Sequence, residues 1–362
     1  RSVGMAGAAV LGTRAAIRTG AGLVTVASAE NVVQVMQNSV PEATCRVLSD
    51  EEGVLARSSI FEIARLVKDK TALAIGPGLG SGGDVRDVVE NVVQEYDIPK
   101  VIDADAVNAM ADNAELLREK KGEIILTPHP KEFARLIGVS LATVLKKPLE
   151  LAQAFAQEFG VVLVLKGATT IVANADGETC MVAAGSPGMA KGGSGDVLTG
   201  VIGGLLAQGL GAFESAVKGV YIAAMAGEYA AEDMGEYSMT SMDECDRIPK
   251  AMKEMVCGCG CGHTHSCDDL VPEMEPEPAP AIISETGRED RPRLDEESAE
   301  EPERVKVITQ EIPIIKPEKT AEQAIAEIEE KEKTQEFKKD ENDDGPGPDD
   351  PRPDGSTRRR IG

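Results

Sequence analysis

The feature that most restricts how this chain can fold is a series of short, wholly apolar runs separated by stretches of helical spacing. Runs at 23–27, 72–75, 100–102, 123–126, 161–165, 169–172 and 179–182 have strand character, and segments 85–96, 106–117, 148–159 and 212–231 repeat apolar residues at helical intervals. A strand apolar on both sides has to be covered on both faces, and strands alternating with helices run mostly parallel. The expectation is an α/β domain over residues 1–256, with a mostly parallel central sheet and helices on both faces. In such sheets the functional loops lie at strand carboxyl ends, where they lead into helix N-termini. With no Trp, four Tyr and six Phe, the core has to be built from aliphatic residues and Met.

Charge divides the chain further. The formal net charge is −24; residues 1–256 hold 23 basic and 33 acidic side chains, and the remainder hold 15 and 29. So acidic a chain repels phosphate at long range, which argues against nonspecific nucleic-acid or anionic-membrane binding. No apolar run approaches the ~20 residues of a membrane helix, and no signal peptide opens the sequence. Seven cysteines, four of them between Cys257 and Cys267, are no spaced disulfide framework and suit a reducing cytoplasm. Residues 268–362 are rich in Pro and acid and poor in apolar side chains, so disorder is expected there. The stretch 320–339 could form a charged helix.

The segment "GSPGMAKGGSGDVLTGVIGGLLAQG", residues 185–209, carries the strongest chemical signal. Gly192, Gly193, Ser194 and Gly195 leave the backbone nearly bare just before a helix. Consecutive N–H groups can then converge on an anion, with the helix dipole adding positive character. Asp196 has two readings, a helix cap or a general base that takes a proton from an attacking hydroxyl. A capping Asp needs no run of glycines before it, which favours the base. "IGPGLGSGGD" (75–84) also follows a strand and precedes a helix. The small-residue helix within 3–26 is explained mostly by close packing. His129 lies between two prolines after a strand, placed for ligand contact or for hydrogen bonding within the turn. Lys166 opens a Gly-Ala-Thr-Thr turn, where it could meet phosphates or cap a hairpin. Asp103 and Asp105 follow another strand, where an Asp can cap the next helix or reach Mg²⁺ through water.

Together, "GMAGAAVLGTRAAIRTGAGLVTV", "GPGLG", "DADAV", "LTPHPKEFARL", "VLKGATTIVA", the segment 185–209 and "SMDECDRIP" resemble, in order, the ADP/ATP-dependent NAD(P)H-hydrate dehydratases, the YjeF carboxyl-terminal domain of the ribokinase-like superfamily. The resemblance covers roughly residues 1–256. It implies repair of hydrated NADH or NADPH: the ring hydroxyl is phosphorylated by ADP or ATP, with Mg²⁺ screening the phosphates, and phosphate then leaves. It implies that Asp196 activates the hydroxyl and that Gly192, Gly193, Ser194 and Gly195 form the anion hole. Lys166, Gly167, Ala168, Thr169 and Thr170, with Gly195, would hold the nucleotide; Ala8, Gly78, His129 and Asp196 would meet the hydrated cofactor. An NAD(P)HX epimerase, fused or separate, is the expected functional partner, and a homo-oligomer is expected.

Three departures stand out. A first strand usual in the family is represented only by "RSVGM", so an exposed edge or gap in the sheet is expected. Lys191 replaces a small or hydroxylated residue and would add charge beside the anion hole. No epimerase domain accompanies the segment. Separately, Cys257, Cys259, Cys261, His263, His265 and Cys267 form a Cys/His linker (257–267) outside the resemblance, with donors suited to Zn²⁺ or Ni²⁺. Its spacing is not that of a zinc ribbon, and adventitious binding by a flexible linker is the simpler reading. Two rivals to the dehydratase remain: a small-molecule (vitamin alcohol) kinase of the same fold, and a non-catalytic metal-handling protein.

Overall fold

The structure, a computed structural model, describes residues 4–111 and 113–257. The chain begins with α1 (Ala6–Arg18), β1 (Thr25–Ser28), α2 (Glu30–Ser39) and β2 (Thr44–Val47). A small hairpin, β3 (Asp50–Glu51) and β4 (Val54–Leu55), leads into α3 (Ser59–Leu66). Three strand–helix steps follow: β5 (Leu73–Ile75) with α4 (Gly83–Glu95), β6 (Lys100–Ile102) with α5 (Ala104–Ala109), and β7 (Ile124–Leu126) with α6 (Pro130–Leu136), α7 (Leu141–Lys146) and α8 (Pro148–Phe159). The fourth strand, β8 (Val162–Leu165), turns back through β9 (Thr170–Ala173) and β10 (Thr179–Val182). Three helices complete the domain: α9 (Ser194–Ala207), α10 (Ala212–Met234) and α11 (Ser241–Cys257).

The main sheet has six strands in the order β10-β9-β8-β7-β6-β5. β5 to β8 run parallel, while β9 and β10 are antiparallel additions. Alternation along the buried strands feeds two cores. Ile102, Ile124, Leu126, Leu163 and Leu165 face α4, α5, α6 and α8, where Phe133 and Phe155 pack edge to face. Val101, Ile125, Val164 and Val172 face α9 and α10. This is the two-sided burial that all-apolar strands demand. Local chemistry sets the helix ends: α8 starts on Pro148 and stops at Gly160, which takes φ +62°.

One expected element is divided. Instead of one helix over 106–117, α5 ends at Ala109 and a 3-10 helix runs from Ala114 to Glu119. Asn113, at φ −153° and ψ 58°, leaves the helical conformation and interrupts it, and the turn lets Met110, Leu116 and Leu117 all enter the same core.

α1 lies against α9 along the expected stripe of small residues. A Cβ on Gly200 would stand 2.1 Å from the Gly12 carbonyl oxygen, so only hydrogen fits at that crossing. β1 and β2 pair parallel with each other and not with the six-stranded sheet. A cleft of about 330 Å³, lined by Ala9, Thr25, Ala27, Leu55, Leu66 and Ala74 among others, separates β1 from β5. The expected gap is thus present, and among the described residues no strand bridges it. No described helix is long and apolar enough to cross a membrane. The tail, including 320–339, lies outside the described residues.

Candidate active site

The chemistry-bearing residues gather where β5 to β8 end and α9 begins. After β6, Asp103 is buried (1 % exposed) at the first position before α5, yet its side chain makes no cap bond to that helix. Instead Oδ1 accepts from Lys166 Nζ at 2.8 Å and Oδ2 accepts from Thr199 Oγ1 at 2.7 Å. Lys166 follows β8, Thr199 is on α9, and the three converge only because the sheet order brings them together. Asp105 Oδ2 accepts from the Gly80 amide at 2.8 Å, tying the turn after β5 to the turn after β6.

The glycine turn is built around Gly193, which takes φ +107° as the residue before α9. A Cβ there would lie 2.6 Å from Leu11 Cδ1 and 2.7 Å from Ser241 Oγ, so conformation and crowding both require glycine. Ser241 Oγ donates to the Gly192 carbonyl at 2.9 Å and bolts the turn to α11.

Asp196 stands in the first turn of α9, but the helix has no side-chain cap. The capping reading therefore fails, and its carboxylate makes no hydrogen bond to a described residue. Burial, and next the Asp103 charge, push its pKa up to about 6; Lys166 opposes them and Asp105 adds to them. A half-buried carboxyl titrating near neutrality is suited to exchange a proton.

His129, after β7, does what the simpler reading expected. Its Nδ1 accepts from the amides of Lys131 and Glu132, each at 3.2 Å, and Glu132 Oε2 accepts from the His129 amide at 2.9 Å. The imidazole is thus half of a capping box on α6, and Nδ1 as acceptor leaves the ring proton on Nε2, 3.2 Å from Glu132 Oε1. Burial holds its pKa below the usual imidazole value. The ring is partly exposed and senses Lys166 and Asp103, so it also borders the site.

Ala8 and Gly78 come together across the cleft: a Cβ on Gly78 would lie 3.4 Å from that of Ala8. Gly167 and Ala168 form the exposed tip of the turn between β8 and β9, with Thr169 and Thr170 partly buried behind it. Lys191 departs from expectation. Its ammonium donates to the carbonyls of Glu236 (2.9 Å), Tyr237 (3.0 Å) and Met239 (2.5 Å), so its charge is spent on the loop before α11.

Sequence reasoning passed over Thr199, Glu132, Ser241 and Glu244. The spacing His-Pro-Lys-Glu, a capping box with His in the Ser/Thr position, could have flagged Glu132. Glu244 is fully buried with neither carboxyl oxygen in good hydrogen-bonding geometry, and burial pushes its pKa up to about 8, opposed by the neighbouring Ser194 hydroxyl. Among the described residues no group of three or more His, Cys, Asp or Glu side chains could hold a metal. Cys257 closes α11, whereas Cys259, Cys261, His263, His265 and Cys267 lie outside the described residues.

Comparison with known proteins agrees with this architecture. The chain is 38 % identical over 190 residues to the bifunctional NAD(P)H-hydrate repair enzyme Nnr of Moorella thermoacetica, covering 52 % of this chain and 36 % of that one. It is 36 % identical over 186 residues to the ADP-dependent (S)-NAD(P)H-hydrate dehydratase of Bacillus subtilis, covering 51 % and 62 %. It therefore spans about a third of the bifunctional relative's length. The crystal structure of the Bacillus subtilis ADP/ATP-dependent NAD(P)H-hydrate dehydratase, co-crystallised with ATP/Mg²⁺ and soaked with CoA, superposes with a TM-score of 0.60 at 30 % identity, covering 69 % of this chain and 88 % of that one. A ribokinase-like superfamily protein of Enterococcus faecalis gives 0.58 at 26 %, with 68 % and 82 % covered. The fold is accordingly ribokinase-like. The sequence profile described as NAD(P)H-hydrate dehydratase matches residues 2–250, and the chain belongs to that family.

Proposed function

We propose that this protein, through its globular unit over residues 1–256, returns hydrated NADH or NADPH to the reduced cofactor at the expense of an adenine nucleotide. Asp196 accepts the proton of the ring hydroxyl, whose oxygen attacks the terminal phosphorus of ADP or ATP. The nucleotide departs one phosphate shorter. The phosphorylated ring then expels phosphate, a far better leaving group than hydroxide, and loses a ring proton to restore the double bond. The amides of Gly192, Gly193, Ser194 and Gly195, at the positive end of α9, offset the charge on the phosphoryl group in flight. The turn from Lys166 to Thr170 holds the nucleotide; Ala8, Gly78 and His129 border the space for the hydrated ring.

The observation that carries this reading is the unpartnered, half-buried Asp196 carboxyl in the first turn of a glycine-led helix, with Lys166 within reach of its field. The carboxylates nearby are committed, Asp103 to Lys166 and Thr199 and Asp105 to Gly80. Among the described residues no cluster of metal donors is gathered; magnesium would enter with the nucleotide phosphates and screen their charge. The family resemblance makes an NAD(P)HX epimerase, fused or separate, the companion activity of this reading.

The test is incubation with hydrated NADH and either ADP or ATP, following the absorbance of the reduced nicotinamide. Recovery of absorbance with stoichiometric release of inorganic phosphate is expected. Accumulation of a stable phosphoester of another alcohol, with no recovery, would establish a kinase instead.

A further inference from the structure

We propose that Asp103 is a positioning residue for this site: it anchors the Lys166 ammonium against the first turn of α9, so that one cation and one helix terminus face the same phosphoryl group. The inference rests on the phosphoryl-transfer reading above and adds a residue that this reading does not use.

The argument starts from an electrostatic misfit. A helix N-terminus carries partial positive charge and disfavours a cation. Yet Lys166 Nζ sits so close to α9 that a Cβ on Gly195 would be 3.4 Å from it. Asp103 supplies the compensation, since Oδ1 holds the ammonium at 2.8 Å and the same Cβ would be 3.8 Å from Oδ2. Thr199, one turn further along α9, fixes Oδ2 at 2.7 Å, so the carboxylate is tied to the helix that the ammonium abuts.

Neither capping nor net stabilisation accounts for Asp103. It occupies the cap position of α5 but makes no cap bond. It is almost fully buried, where an ion pair contributes little net stability over an apolar substitute. The Lys166 ammonium has three donors, and the structure gives it one acceptor among the described residues, Asp103. The other two donors remain for an anion at Gly195. Asp103 thus acts through Lys166, and its charge also bears on Asp196 across the same small space.

A double-mutant cycle on nucleotide binding tests this without the hydrated cofactor. Dissociation constants for ADP, with ATP in parallel, are measured by calorimetry for the unmutated protein, D103N, K166M and the double variant. If Asp103 works by placing Lys166, D103N weakens binding at least tenfold alone and less than threefold in the K166M background. The acid limb of the pH–rate profile also moves to lower pH in D103N, because a like charge facing Asp196 has gone. Equal losses in both backgrounds overturn the proposal, as does tighter binding in D103N, which would make Asp103 a mere countercharge. Should D103N not fold, T199V decides, since it removes one anchor of the carboxylate and preserves side-chain shape. It must weaken binding at least threefold, with the loss vanishing in K166M, or the proposal fails. A cycle that couples as expected while hydrated NADH is not repaired would leave this inference standing and overturn the proposed reaction.

Discussion

The Lys191 ammonium donates to the Met239 carbonyl at 2.5 Å, and its remaining donors go to the carbonyls of Glu236 and Tyr237. The charge that the glycine-rich sequence suggested for phosphate is therefore a latch on the loop between α10 and α11. That loop leads into Ser241, whose hydroxyl holds the Gly192 carbonyl. K191M should lower unfolding stability by about 1–2 kcal/mol, since hydrogen bonds from a charged donor are individually substantial but this side chain is partly solvated. Nucleotide affinity should change less than threefold. Denaturant unfolding and a binding titration check both, and a large loss of affinity with unchanged stability would return Lys191 to the phosphate site.

Asp196 should separate chemistry from binding. D196N removes the base and keeps the shape, so turnover should fall by about 10²–10⁴-fold while nucleotide binding is retained. The pH dependence has a definite sign. The carboxyl must be ionised to take a proton, and burial first, then the Asp103 charge, push its pKa up to about 6, with Lys166 opposing and Asp105 adding to them. Activity should rise with pH through about 6 and level above it. A profile flat from pH 5 to 8 would remove Asp196 from the proton-transfer step.

Much of the sheet was legible because its strands are short and apolar on both sides, with helices set off by Pro148 and Gly160. The place of Asp196 in the first turn of a helix was legible because three glycines crowd just before it. The pairings were not. Asp103 and Lys166 are 63 residues apart and Asp103 and Thr199 are 96 apart, and only the order of β6 and β8 around α9 makes them neighbours. The fate of Lys191 depends on carbonyls more than 40 residues onward. The break after α5 arises because three apolar side chains could not all reach one core from a straight helix, which tertiary packing decides and helical spacing does not.

Glu244 gives the domain a pH-dependent weakness. Below its unfolded value of about 4.5 the carboxyl is protonated in both states and adds no pH-dependent cost. As pH rises from there, the unfolded chain ionises first while the folded state holds its proton up to about 8. Stability should therefore decline across that interval and then level off, by an amount on the order of a few kcal/mol. E244Q should flatten this decline, leaving stability near pH 4.5 little changed and raising it at pH 9. Unfolding curves at the two pH values measure the difference, and equal curves for variant and parent at pH 9 would show that the buried carboxyl carries no such penalty.

His129 combines a cap with a place at the edge of the site, and the two duties can be separated by substitution. H129A loses the acceptor for the amides of Lys131 and Glu132 and should cost ~1 kcal/mol of stability. H129N keeps a good capping oxygen and should restore most of that loss. Neither variant retains the ring. If the imidazole touches the hydrated cofactor, both should raise KM for that substrate by a similar factor while leaving nucleotide affinity alone. Recovery of KM together with stability in H129N would assign His129 to the cap alone.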